Sequence, residues 1–208
     1  IEPQNLHKFF DISLNENPND PVELEKALKE LLEKSPKSSS KLFFNQLYGG
    51  RHSKAVLGDL LAVFLNNSMA TYKIAGPQIA IEKEILSKIY NLIGYGNNAG
   101  GTFPTGGSMC NFMSLVLARD KALKNLRYDI SKLIVYTSDN SHYSIPKNVS
   151  LSGIKKENIR YLKTNNFGKI KAVDFKKQIA KDIQQGLIPF YLNATCLLYT
   201  SPSPRDTL

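Results

Sequence analysis

Residues 100–119, GGTFPTGGSMCNFMSLVLAR, constrain the fold of this chain more than any other stretch. Gly100, Gly101, Pro104, Gly106 and Gly107 interrupt any regular element. Directly behind them Met109, Phe112, Met113, Val116 and Leu117 recur at i, i+3, i+4, i+7 and i+8, which is one face of an amphipathic helix. A glycine-rich loop therefore feeds a helix N-terminus. Such an end carries backbone N–H groups without intrahelical partners and a partial positive charge, and the two together suit a phosphate. Gly106 and Gly107 allow close backbone approach, and Ser108 adds a hydroxyl in the first turn. The spacing is neither GxGxxG nor a P-loop, because no Gly-Lys-Ser/Thr follows. Taken alone, the stretch also fits a plain loop ahead of a buried helix.

The strand pattern behind this loop points to an α/β sheet. KLIVYT (residues 132–137) reads as a buried parallel strand, NIRYLK (158–163) as a second, and LIPFYLN (187–193) as a third. Helical stretches alternate with them. Residues 145–151 form one, and a second starts with Asp174 as N-cap, runs through Gln185 and is closed by Gly186. Ligands in open α/β sheets bind beyond the carboxyl ends of the strands. His142, in SDNSHYSIPK just after the first strand, lies where a cofactor belongs.

Upstream, Asp20-Pro21-Val22-Glu23 predicts a helix start, with Asp as N-cap, Pro at N1 and Glu at N3. Leu24, Ala27, Leu28, Leu31 and Leu32 form its apolar stripe, and Ser35-Pro36 ends it. A second helix is predicted over 55–66. A third runs from Pro77 to Ile93, with Ile81, Ile85, Ile89 and Leu92 or Ile93 toward a core and Glu82, Lys83, Glu84 and Lys88 toward water. Cys110 and Cys196 have no metal-site spacing and form no disulfide framework, and Cys110 reads as a small buried hydrophobe.

Five ordered motifs make the pattern specific: FFNQLYGG (43–50), TYKIAGP (71–77), FPTGGSMCN (103–111), SDNSHYSIPK (138–147) and IPFYLNAT (188–195). Together they resemble the group II pyridoxal-phosphate decarboxylases, most of all the glutamate and cysteine-sulfinate branch. The resemblance covers residues 42–195. It implies a fragment of the fold-type I, aspartate-aminotransferase-like large domain, an α/β fold with a mostly parallel sheet. Residues 1–41 would precede this domain as an N-terminal helical segment used in dimerisation. The implied cofactor is pyridoxal 5′-phosphate, contacted by Gly106, Gly107, Ser108, His142 and Thr195. The implied role of His142 is catalytic, stacked on the cofactor ring. Gln46 and Tyr48 would contact the substrate. Tyr48 stands where glutamate decarboxylases resemble Asn-Gln-Leu-Ser, a departure that narrows the site.

The implied activity is decarboxylation of an amino acid, either acidic (glutamate, aspartate, cysteine sulfinate) or diaminobutyrate, in a homodimeric parent enzyme. Two alternatives stay open. One is another fold-type I activity, aminotransferase or cysteine desulfurase, against which FNQL and SHYS argue. The other is a non-catalytic phosphate-ligand or nucleic-acid binding module, raised by a net charge of +9. The lysines are scattered along helices and loops without an arginine-rich block, so a solvated surface and no nucleic-acid partner are expected. No metal site is expected. With no run of 18 apolar residues and no signal peptide, the expected setting is cytoplasmic, with no membrane partner.

Residues 196–208 (CLLYTSPSPRDTL) have no counterpart in the family and read as an adapter-derived, non-native tail. On that expectation the chain is an N-terminal fragment. The lysine that anchors the cofactor and the aspartate that holds its ring nitrogen would lie beyond Thr195, and the fragment itself would be inactive.

Overall fold

The computed structural model describes residues 3–8, 16, 20–44, 50–96, 98–126 and 129–194. The chain divides into two compact units, residues 1–66 and 67–208.

In the first unit a short 3-10 turn, Pro3–Lys8, precedes two helices, α1 (Pro21–Lys34) and α2 (Ser53–Leu65). The start of α1 follows the sequence signals. The Asp20 side chain accepts from the Val22 N–H at 3.0 Å, and Pro21 occupies the first turn. Asn66 closes α2 in the left-handed region at φ 46°, a conformation Asn tolerates better than most residues. No residue of either helix is buried, and the leucine stripe of α1 stays at least half exposed.

The second unit runs α3 (Tyr72–Ala75), α4 (Pro77–Ile93), α5 (Gly107–Leu126), β1 (Leu133–Ser138), α6 (Ser144–Leu151), β2 (Ile159–Leu162), α7 (Ala172–Gln184) and β3 (Ile188–Leu192). The strands form one parallel sheet in the order β2-β1-β3, so all three carboxyl ends share an edge. β1 is the central strand and is buried along its whole length. Its side chains alternate between two apolar layers, as a strand with period two requires. Leu133 and Val135 pack with Leu115, Val149, Ile154 and Ile159 on one face. Ile134 and Tyr136 pack with Leu162, Phe175, Ile179 and Leu187 on the other. Pro189 has no N–H to donate, and the β1–β3 register slips just beyond it, pairing Ile134 with Pro189 but Val135 with Tyr191. A register irregularity is where a sheet tolerates Pro.

Four expectations need correction. Asp174 is not the cap of α7; Lys171 holds that position and Asp174 sits inside the first turn, where a carboxylate still complements the helix dipole. On α4 the buried residue is Leu86, with Ile79, Glu82, Ile89 and Tyr90 half-buried, while Ile81, Ile85, Leu92 and Ile93 are exposed. Two apolar stripes of nearly the same period share this helix. The buried one includes Glu82, which accepts from the Thr102 hydroxyl and the Phe103 N–H, both at 3.4 Å. On α5 Leu115 is buried, while Met109 and Leu117 at the margins of the expected stripe are exposed. The helix rests against both β3 and α6, so its inward arc is rotated and wide. Cys110 is exposed rather than buried, because the whole first turn of α5, residues 107–110, is exposed.

Candidate cofactor site

The glycine loop reaches α5 through a fixed approach. Gly101 runs so close to Tyr90 that a Cβ would come within 2.7 Å of the phenol oxygen. At Gly106 φ is +151°, a backbone conformation that L side chains rarely adopt. The Met109 and Cys110 N–H groups both turn back to the Gly106 carbonyl, at 3.0 and 3.1 Å, and so start the helix. The N–H groups ahead of them have no acceptor within the helix itself. No acidic residue lies in the first turn to neutralise its positive end. A Cβ placed on Gly106 or Gly107 would meet nothing within 4 Å. An open glycine cradle, an uncompensated helix N-terminus and the Ser108 hydroxyl are the donor set a phosphate needs, so these residues fit a phosphate-bearing cofactor.

His142 follows β1 on the shared carboxyl edge. The turn that carries it is tied down by hydroxyls. Ser141 Oγ accepts from Thr137 Oγ1 at 2.7 Å and from the Ser138 N–H at 3.1 Å, and lies 2.8 Å from Ser138 Oγ. The His142 ring is exposed and lies 4.2 Å from the Tyr143 ring at an interplanar angle of 37°. Lys147 Nζ sits 4.6 Å from the centre of that phenol ring, within cation–π range.

Hydrogen bonds clasp the glycine loop and the histidine turn together. Asn148 Nδ2 donates to the Ser108 carbonyl at 2.9 Å. Asn111 Nδ2 donates to Ser144 Oγ at 3.1 Å, and that oxygen lies 2.8 Å from His142 Nδ1. Further along the same helix pair, Arg119 Nη1 donates to the Ser152 carbonyl at 2.6 Å. Ser144 and Asn148 are buried, so each amide and hydroxyl exchanges water for a specific partner.

The structure thus brings Gly106, Gly107, Ser108 and His142 into one neighbourhood. Gln46, Tyr48 and Thr195 lie outside the described residues. Asn193, two residues before Thr195, extends the β1–β3 ladder by donating its N–H to the Tyr136 carbonyl at 2.9 Å. Sequence reasoning missed Asn111, Ser144 and Asn148. The first two lie inside the FPTGGSMCN and SDNSHYSIPK motifs, and Asn148 breaks an apolar helix face. Those were the available signals, though none of them indicates which residues pair. Among the described residues no group of three or more His, Cys, Asp or Glu could hold a metal, and no helix is long and apolar enough to cross a membrane.

Comparison with known proteins matches residues 3–198 to the pyridoxal-dependent decarboxylase conserved domain. The chain belongs to the pyridoxal-dependent decarboxylase family. Family membership agrees with the phosphate cradle and makes pyridoxal phosphate the cofactor. An acidic amino acid decarboxylase of Xenopus tropicalis is 31% identical over 198 residues, which are 93% of this chain and 39% of that protein. The human cysteine sulfinic acid decarboxylase is 31% identical over 199 residues, 93% of this chain and 40% of that protein. The crystal structure of the mouse cysteine sulfinic acid decarboxylase matches with a TM-score of 0.84 at 30% identity, over 92% of this chain and 42% of that one. A tryptophan decarboxylase of Catharanthus roseus matches with a TM-score of 0.84 at 25% identity, over 98% of this chain and 45% of that one. The chain spans about 40% of the length of the curated relatives it matches, and its fold is that of the fold-type I decarboxylases.

Proposed function

We propose that the protein to which this chain belongs removes the α-carboxylate of an amino acid as carbon dioxide, using pyridoxal phosphate. The observation that carries the reading is the clasp of an open, glycine-built helix N-terminus to His142 at the carboxyl edge of a parallel sheet. Gly106, Gly107 and Ser108 hold the phosphate with backbone N–H groups and a hydroxyl. His142 presents a flat ring to the cofactor and an N–H to the substrate carboxylate. When bound, pyridoxal phosphate supplies the electron sink for the departing carboxylate. The protein's part is to orient that group and exclude competing geometries.

The finer reading is an acidic substrate (glutamate, aspartate or cysteine sulfinate) or diaminobutyrate, with Gln46 and Tyr48 contacting its distal group and Thr195 contacting the cofactor. Likeness to the acidic amino acid and cysteine sulfinic acid decarboxylases supports it. In this reading residues 42–195 carry the cofactor site, and residues 1–41 help form a homodimer.

The test is carbon dioxide release by the full-length, cofactor-loaded protein across those four substrates. Release from at least one is expected, and release from none overturns the proposal. His142→Ala is expected to lower turnover by about 100-fold or more, the scale of one positioned acid–base group, while cofactor affinity stays within a few-fold.

A further inference from the structure

We propose that Asn111 and Ser144 are positioning residues that fix the tautomer of His142, holding its Nδ1 as an acceptor and the ring proton on Nε2. The backbone N–H of Ser144 can only donate, and it points at His142 Nδ1 from 3.2 Å. Nδ1 must therefore offer its lone pair. Ser144 Oγ, 2.8 Å from the same nitrogen, can approach a lone pair only with its proton. A hydroxyl has one proton. With that proton directed to Nδ1, the oxygen needs a donor on its other side, and Asn111 Nδ2 is there at 3.1 Å. The opposite amide orientation would take the hydroxyl proton and set two lone pairs against each other. The three contacts are consistent with one proton arrangement only: amide to hydroxyl, hydroxyl to Nδ1, and Nε2–H outward.

The consequence concerns what His142 offers. In its neutral form the outward nitrogen is a donor and not a base, so it suits an anionic group such as a substrate carboxylate. Ser144 is buried at 2% exposure, so water does not compete for the relay. The value of this to catalysis rests on the function proposed above, but the tautomer itself does not.

The experiment reads the ring directly, without turnover. Full-length, cofactor-loaded protein carrying ¹⁵N-histidine is recorded by long-range ¹H–¹⁵N NMR at a pH where the imidazole is neutral, and His142 is assigned by the loss of its signals in H142Q. The expected pattern is an unprotonated Nδ1 and a protonated Nε2. Asn111→Asp replaces the amide donor to Ser144 Oγ by an acceptor of the same shape and turns the hydroxyl round. The tautomer ratio should move toward Nδ1–H by about tenfold or more, the equilibrium equivalent of one charge-assisted hydrogen bond. Ser144→Thr, which keeps the hydroxyl, should retain the parent pattern. On a Ser144→Ala background, N111D should cause no further shift, because its effect passes through the Ser144 hydroxyl. Should N111D fail to fold, Ser144→Ala alone decides, since losing one of two donors to Nδ1 must raise the Nδ1–H population. A parent ring protonated at Nδ1 overturns the proposal, as does a ratio indifferent to both Asn111 and Ser144. Neither result would bear on whether the enzyme decarboxylates.

Discussion

At the scale of single residues, Gly106 is constrained by its backbone and not by its neighbours. Its φ is +151°, and a Cβ added there would meet no protein atom within 4 Å. A side chain at this position is thus opposed by the backbone and not by a collision. Gly106→Ala is therefore expected to strain or redirect the loop by roughly 1–3 kcal/mol and to weaken cofactor binding about tenfold or more. A titration of the full-length apo-protein with pyridoxal phosphate, followed by absorbance, measures this. Asp182 is constrained by its neighbours. In the sequence it is one polar residue in a lysine-rich helix. In the fold it is 1% exposed and accepts from Arg160 Nε at 2.9 Å, Tyr136 Oη at 2.8 Å and Gln178 Nε2 at 3.1 Å. Arg160 and Tyr136 lie on neighbouring strands far away in sequence, so no local pattern could announce the cluster. Burial opposes the charge of Asp182, but bonds from Arg160, Gln178 and Tyr136, with the Arg160 charge, hold its carboxyl below the ordinary value of 3.8. Burial, and then the bond to this carboxylate, pushes the Tyr136 phenol well above its usual range. A carboxyl lowered by folding adds stability that is complete above its unfolded value and is lost as pH falls through the folded one. Asp182→Asn should cost about 3 kcal/mol near neutrality, because Arg160 loses its counter-charge. The gap between parent and variant in urea unfolding should stay constant down to about pH 4 and then shrink. A gap that widens in acid would contradict this linkage.

At the scale of elements, the sequence read best where a residue type has a single physical use. Asp20 with Pro21 starts α1, and Gly186 stops α7. The stop of α7 shows why. Gly186 has φ +72°, its N–H reaches the Ile183 carbonyl at 2.9 Å, and the Leu187 N–H reaches back to the Asp182 carbonyl at 2.9 Å. This is a Schellman closure, which needs a left-handed residue at that position. It also aims Leu187 into the apolar layer beneath β1. Gly186→Ala leaves the side-chain space open but forces the left-handed backbone, so a loss of about 1 kcal/mol is expected in denaturant unfolding of the full-length protein. An unchanged midpoint would show that the closure relaxes into another turn. The faces of α4 and α5 were less legible. An apolar period fixes that a helix has an inward side, but when two stripes fit equally well the neighbours choose. On α4 the choice falls to the stripe in which Glu82 can bond the approach to the glycine loop. On α5 it falls to the arc that meets β3 and α6 together. The Asn111–Ser144 and Asn148–Ser108 clasps depend on that rotation, which explains why the motifs were visible and their pairing was not.

At the scale of the whole molecule, the α/β class was legible because three apolar runs alternate with helices, and the all-parallel order β2-β1-β3 follows from such connections. The first unit poses the opposite case. Helix α1 starts where Asp20 and Pro21 place it, yet its apolar side remains uncovered, with Leu24, Leu28, Leu31 and Leu32 all at least half exposed. No local rule covers a stripe like this; burying an aliphatic side chain fully is worth about 1.5–3 kcal/mol, and four in register leave a large unrealised term. The proposed homodimer supplies a surface of that kind. Leu28→Asp with Leu31→Asp then tests the assignment, since both positions are solvent-facing and the helix retains its cap and its Glu25–Lys29 and Glu30–Lys34 pairs. If α1 buries this stripe against a second copy, the double substitution places two charges in an apolar contact, which neither side can solvate. Sedimentation of the full-length protein should then change from dimer to monomer, with far-ultraviolet dichroism unchanged. A dimer that survives both substitutions would remove α1 from the interface. It would leave the cofactor site unaffected, because Gly106, Ser108, Asn111 and His142 are all held within the second unit.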